Sequence, residues 1–277
     1  MTAVRTRLSG VVAVVVAGIA VVAFAAPNTR SDPAREAAEH FLDRYVLPSG
    51  RVVRRDQGGD TVSEGQGYAL MLSATVGDRR RFERVWAWTR AHLQRPDGLF
   101  SWLWRGGRVA DRQPATDADI DIAHGLVLGA DRFRTPRLRT EAAHIGRAVL
   151  ARETVQAGGR LVLVAGPWAT RGRLTLNPSY FSPRGFAALA RATRDPRFGR
   201  LEASSLAILR ALSGSTRRLP PDWAVLSPDG RVRPSPSPSG QRAAFGYDAV
   251  RAPIRMAAAR ARAARALAAG WWPRLER

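Results

Sequence analysis

The sequence contains no cysteine, which excludes disulfides, thiolate metal sites and a cysteine nucleophile. A chain of 277 residues buries enough apolar surface to fold without such staples. Lysine is absent too, so all 44 basic residues are arginine, and against 23 acidic residues they leave a net charge of +21. Charge of that size ordinarily points to nucleic acid or an anionic membrane. Here the arginines are scattered among acidic residues, and no aromatic–basic RNA motif accompanies them, so no nucleic-acid partner is expected. Histidine occurs four times, at His40, His92, His124 and His144, far apart and without ligand spacing, so neither a metal nor a cofactor is expected. A long apolar run occurs once, over residues 8–26, preceded by Arg5 and Arg7 and closed by Ala23, Phe24 and Ala25 ahead of Pro27. Residues 1–26 therefore read as a signal peptide or an uncleaved N-terminal membrane anchor, 27–31 as a linker, and 32–277 as one domain. The expected location is secreted, or the extracellular face of the membrane.

What the chain does contain is helical periodicity. Asp32 and Pro33 supply an N-cap and first-turn proline ahead of Ala34, Ala37, Ala38, Phe41, Leu42 and Tyr45. Similar patterns predict helices over 68–76, 80–93, 119–133, 137–151, 183–192, 201–212 and 250–267. Strand-like alternation is confined to short pieces such as 160–164. The helix starts at Asp78-Arg79-Arg80-Arg81-Phe82 and Asp195-Pro196-Arg197-Phe198 echo each other, as stacked helical hairpins do. The Pro- and Ser-rich segment 227–241 reads as a surface loop.

Acidic residues gather where these helices begin. Glu64 lies among glycines in Ser63-Glu64-Gly65-Gln66-Gly67-Tyr68, where backbone approaches a ligand closely, although a lone carboxylate there also suits a helix dipole. Asp117, Asp119 and Asp121 alternate with small and apolar residues. A spacing of two cannot place all three on one helical face, so the expectation is one cap, one acid facing a cleft and one solvated. The glycine and terminal glutamate of a calcium loop are missing. Asp248 and Arg251 are three apart, the spacing of an ion pair. Trp102, Trp104, Trp168, Tyr180, Phe181 and Tyr247 crowd the same connections. Acids and flat rings together imply a cleft in which sugar rings stack and carboxylates attack the bond between them.

These stretches resemble glycoside hydrolase family 8, the bacterial endoglucanase family that also holds chitosanases, xylanases and lichenases. Ala115-Thr116-Asp117-Ala118-Asp119-Ile120-Asp121-Ile122-Ala123, running on to Ala130 and Phe133, follows the family signature, with Gly125 and Gly129 where a bulkier small residue is usual. The Glu64 loop, Asn177-Pro178-Ser179-Tyr180-Phe181 and Tyr247-Asp248-Ala249-Val250-Arg251 match further segments in the family's order, over residues 32 to 270. The resemblance implies an (α/α)6 barrel, here shortened, because only 29 residues follow Asp248. The helix ending at Trp271 and Trp272 is then expected to present an unpartnered apolar surface. The implied activity is endo-hydrolysis of β-1,4-glucan with inversion, Glu64 acting as proton donor and Asp248 as base. Asp117 would hold the sugar at the cleavage point, Arg251 would keep Asp248 ionised and aimed, and Tyr180 or Tyr247 would place the water. Trp102 and Trp168 match positions that stack on sugar rings. The alternatives are a non-catalytic β-glucan-binding protein, or an enzyme for xylan, mixed-linkage glucan or chitosan.

Overall fold

The computed structural model describes residues 32–276, so the expected signal or anchor and the linker lie outside the described residues. The predicted periodicities become nine helices among those residues: α1 (Pro33–Tyr45), α2 (Ser63–Val76), α3 (Arg79–His92), α4 (Thr116–Arg132), α5 (Pro136–Arg152), α6 (Pro183–Thr193), α7 (Arg197–Ser213), α8 (Arg251–Ala257) and α9 (Arg262–Leu275). Consecutive helices pair as hairpins, α2 with α3, α4 with α5, α6 with α7 and α8 with α9. The first members of these pairs also pack in succession, α2 on α4, α4 on α6 and α6 on α8. This alternation of inner and outer helices is the (α/α)6-barrel architecture the resemblance implied. Short antiparallel strands decorate the connections: β1 (Thr61–Val62), β2 (Leu103–Arg105) and β3 (Arg108–Asp111) in one sheet, β4 (Thr154–Ala157) with β5 (Arg160–Leu163), and β6 (Leu174–Leu176) with β7 (Ala224–Leu226) and β8 (Val232–Pro234). Strand β8 lies inside the segment read as a loop, where pairing to β7 orders Val232 to Pro234.

Inner and outer helices differ as their sequences require. Residues from Thr116 to Ala123 are all buried in α4, a helix enclosed on every side, whereas α3 and α7 keep arginines on an exposed face. The tight contacts of α4 with α2 and α3 depend on glycine. A Cβ at Gly125 would stand 2.7 Å from the Cβ of Leu70, and one at Gly129 would stand 2.3 Å from the Phe82 ring. The departures from the family pattern at these two positions thus have a packing reason. Helix α2 stops at Gly77, whose φ of 83° and N–H bond to Ser73 O form a left-handed cap, and Asp78 at once starts α3 by accepting from Arg81 N. Asp195 accepts from Arg197 N at the equivalent start of α7, which accounts for the echo in the sequence.

Three expectations change. Helices α2 and α4 begin earlier than predicted, so Glu64 and Asp117 occupy first turns and not loops ahead of helices. The helix expected over 250–267 is two helices, broken where Ala261 turns extended; Arg184 caps Ala258 O at 2.6 Å and Arg265 caps Ala259 O at 3.0 Å, so the freed carbonyls are satisfied. The apolar face of α9 is covered: Ala264, Leu267 and Trp271 are buried against α7 and α8, and Trp272 alone of the two tryptophans is exposed.

Candidate active site

Four inner helices bring their N-terminal ends together. Glu64 lies in the first turn of α2 and Asp117 in that of α4; Tyr180 closes a 3-10 turn just ahead of α6, and Asp248 and Arg251 lead into α8. Two ion pairs show how α4 and α8 face each other. Arg251 Nη1 meets Asp117 Oδ2 at 2.6 Å and Arg255 Nη2 meets Asp121 Oδ2 at 2.6 Å. The partners are four residues apart on each helix and pair in the same order, so the two helices run in the same direction, one turn per pair.

Arg251 organises the charge. Its Nη2 donates to Asp248 Oδ1 at 2.9 Å while Nη1 holds Asp117, and its guanidinium lies 5.5 Å from the centre of the Tyr180 ring. Asn177 Nδ2 donates to the other oxygen of Asp248 at 3.1 Å, and Asn177 Oδ1 in turn accepts from Ser179 N. Both oxygens of Asp248 are thereby aimed. Asp117 is wholly buried; Arg251 takes its Oδ2, and its Oδ1 is left without a partner. Burial pushes Asp117 up from the ordinary carboxylate range, with the Arg251 and Arg255 charges opposing.

Glu64 receives no guanidinium. Its one side-chain bond is a 3.3 Å contact from Ser63 Oγ. It is recessed among densely packed neighbours yet keeps part of its surface open to solvent. Burial first, and the nearby Asp117 charge second, push its pKa up to about 7. The helical turn that carries it is fixed from both sides: Ser63 N donates to Trp102 O at 2.9 Å, β1 pairs with β2, and Gln66 Oε1 accepts from Val52 N at 2.6 Å while its Nε2 reaches Thr89 Oγ1 at 2.7 Å.

The remaining sequence candidates separate. Tyr180 is buried within the electrostatic reach of Glu64, Asp117, Asp248 and Arg251. Tyr247 is 93% exposed at the rim, near Arg54, so it is not packed into the carboxylate group. Trp102 is half-buried beside the Glu64 loop, and Trp168 is 40% exposed in a concavity of about 610 Å³ with Arg152 and Arg171. Trp104 packs edge-on against Trp88 and His92, a structural cluster. The expectation for the three aspartates fails in two respects: Ala115 precedes α4 with no side-chain cap, and none of the three is solvated. Asp117 faces the site, Asp119 accepts from Phe100 N, and Asp121 pairs with Arg255. Sequence reasoning missed Asn177, which holds Asp248, Tyr68, whose hydroxyl accepts from Arg251 Nη1 at 3.4 Å, and Arg255, which pairs with Asp121. For Asn177 the signal was present, in the segment that also holds Tyr180.

The sequence model of the family described as glycosyl hydrolases family 8 matches residues 9–269, a span beginning earlier than residue 32. A probable endoglucanase of Novacetimonas hansenii is 35% identical over 235 residues, which is 81% of this chain and 68% of that protein. An endoglucanase of Cellulomonas uda is 30% identical over 227 residues, 80% of this chain and 62% of its own length. The chain thus spans roughly two thirds of these relatives. Among solved structures, the endo-beta-1,4-glucanase of Acetobacter xylinum superposes with a TM-score of 0.74 at 32% identity, over 81% of this chain and 72% of that one.

Proposed function

The chain belongs to glycosyl hydrolases family 8, and from that premise we propose that it hydrolyses β-1,4-glucan internally, with inversion, using Glu64 as acid and Asp248 as base. The carrying observation is the division of Arg251. One guanidinium serves Asp117 and Asp248, and Glu64 is left without a cation and with a pKa near the operating pH. An acid and a base in one cleft need such opposed environments. Glu64 gives its proton to the glycosidic oxygen as the bond to C1 breaks. A water on the opposite ring face bonds to C1 and passes a proton to Asp248, whose oxygens are held by Arg251 and Asn177. Asp117 Oδ1, buried and unpartnered, accepts a hydroxyl of the sugar at the cleavage point. Trp102 and Trp168 stack on flanking rings. Exchange with solvent returns the proton from Asp248 and recharges Glu64.

Reducing ends and viscosity on soluble β-1,4-glucan, mixed-linkage glucan, xylan and chitosan test the reading; a folded chain that releases no ends from any of the four overturns it. NMR of fresh product should show the α anomer. Glu64→Gln and Asp248→Asn should each lose roughly 10²-fold or more in turnover while glucan binding stays nearly intact, because each removes proton transfer and leaves the stacking surfaces in place. Binding without turnover in the unmodified chain would favour the non-catalytic alternative.

A further inference from the structure

Beneath Asp117 lies a second carboxyl pair that the mechanism does not use. Asp119, in the first turn of α4, and Glu153, which follows the last residue of α5, are both inaccessible to solvent. Their carboxyls lie close enough to shift each other's proton affinity. Asp119 Oδ2 and both oxygens of Glu153 are buried without a hydrogen-bond partner, and among the described residues neither carboxyl has an ion pair. Two ionised carboxylates are acceptors only and repel; a proton between them turns the same contact into a strong bond. Around them stand Asp117 on α4, the Thr116 hydroxyl, and Arg95 and Asp97 from the turn after α3. Arg95 is already engaged, by Asp97 Oδ2 at 2.8 Å and by Arg112 O, so its charge is divided before it reaches the pair.

The backbone around the pair gives it consequence. Asp119 Oδ1 accepts from Phe100 N at 2.8 Å, two residues before Trp102, whose carbonyl holds Ser63 N at the start of the Glu64 turn. On the other side, Glu153 O accepts from Val164 N, and Thr116 reaches Val164 O through its hydroxyl and Ala165 O through its N–H. The contact between two carboxyls therefore ties the end of α5 to the first turn of α4 and to the segment that seats Glu64.

We propose that Asp119 and Glu153 share a proton and act as positioning residues, fixing the Asp117 turn relative to the Glu64 turn. The proposal rests on the hydrolase reading for its activity readout, and its proton readout does not. Burial pushes both carboxyls well above their ordinary values, so the pair retains its proton in the fold and loses it on unfolding. Its stabilisation is complete below the unfolded carboxyl values near about 4 and is lost as pH rises from there toward the folded values.

The test compares the full chain with Glu153→Gln, Asp119→Asn, Glu153→Ala and Glu64→Gln. Thermal melts of the unmodified chain and of Glu64→Gln should lose stability between pH 5 and 8, and Glu153→Gln should flatten that loss by roughly one proton's worth of slope, its amide donating where the proton sat. On soluble β-1,4-glucan at pH 6, Glu153→Gln should stay within about threefold of normal kcat. Glu153→Ala should lose tenfold or more in kcat at little-changed KM, with the folded fraction measured by circular dichroism, since misplacement of catalytic groups by about 1 Å costs up to roughly 10²-fold. An unaltered pH slope in Glu153→Gln overturns the shared proton, and a folded Glu153→Ala with normal kcat overturns the positioning role. If Glu153→Ala fails to fold, Asp119→Asn decides the shared proton, which an unchanged slope refutes, and Asp119→Ala decides the positioning role, which a normal kcat in the folded variant refutes. A flattened slope in a chain inactive on every glucan sinks the hydrolase reading and leaves the proton pair standing.

Discussion

Arg251 reaches two carboxylates with one planar fork, a geometry that a lysine ammonium on a flexible stem does not reproduce. Arg251→Lys should therefore lower kcat by about tenfold or more, because Asp117 and Asp248 then lose their common reference and small misplacements are costly. Steady-state kinetics on soluble glucan check this, and a variant within about twofold of normal would remove Arg251 from the charge balance. As the proposed acid, Glu64 should set the pH dependence. With its pKa pushed up to about 7, the proton it must donate is present below that value and absent above it. The expected kcat/KM profile thus falls about tenfold per unit on the alkaline side of neutrality. A flat profile up to pH 9 would contradict the assignment. At this scale the sequence displayed Glu64, Asp117 and Asp248 by residue type and setting, yet it gave no hint that Asp119 meets Glu153. Their contact joins residues 34 positions apart through the end of another helix, and no local pattern encodes that.

The inner helices carry the site because their first turns converge, and their spacing depends on side chains that are missing. Gly125→Ala should destabilise the fold by about 1–3 kcal/mol through overpacking against Leu70, despite a helix-propensity gain of up to about 1 kcal/mol. Gly129→Ala meets a Phe82 ring that is itself fully enclosed, so a similar loss is expected there. Urea unfolding of both variants measures it, and a rise in stability at either position would show that the neighbouring helix moves aside freely. Most of the outer helices were legible from apolar spacing and caps. The early starts of α2 and α4 were not, since Gly65 and Gly67 in one and Thr116 and Asp117 in the other are poor helix formers by local preference. The break between α8 and α9 was equally hidden, because nothing in Ala257 to Ala261 disfavours a continuous helix and Arg184, which caps Ala258 O, comes from α6.

Across the whole molecule a net charge of +21 sets the long-range field, and it bears on substrate choice more than on fold. Among the four polymers, chitosan in its cationic form should be hydrolysed slowest, and its rate should rise with ionic strength as repulsion is screened. Initial rates at low and near-physiological salt check this; a chitosan rate exceeding that on neutral glucan would place the specificity in cleft contacts and not in the field. The sequence alone determined the class of architecture, because helical periodicity and hairpin-like connections recur along the chain and the strand-like pieces are too few to build a sheet around which helices could wrap. It also determined the candidate chemistry, because carboxylates, glycines and aromatic rings clustered at helix starts. Which carboxylate stands in which charge environment is a property of the packed chain. The carboxylate left without a cation is Glu64, and the ones clamped by Arg251 are Asp117 and Asp248, since charge partnership depends on which helix ends meet in space. Proton affinity follows burial and neighbouring charge, and both are properties of the packed barrel that the order of residues along the chain does not express.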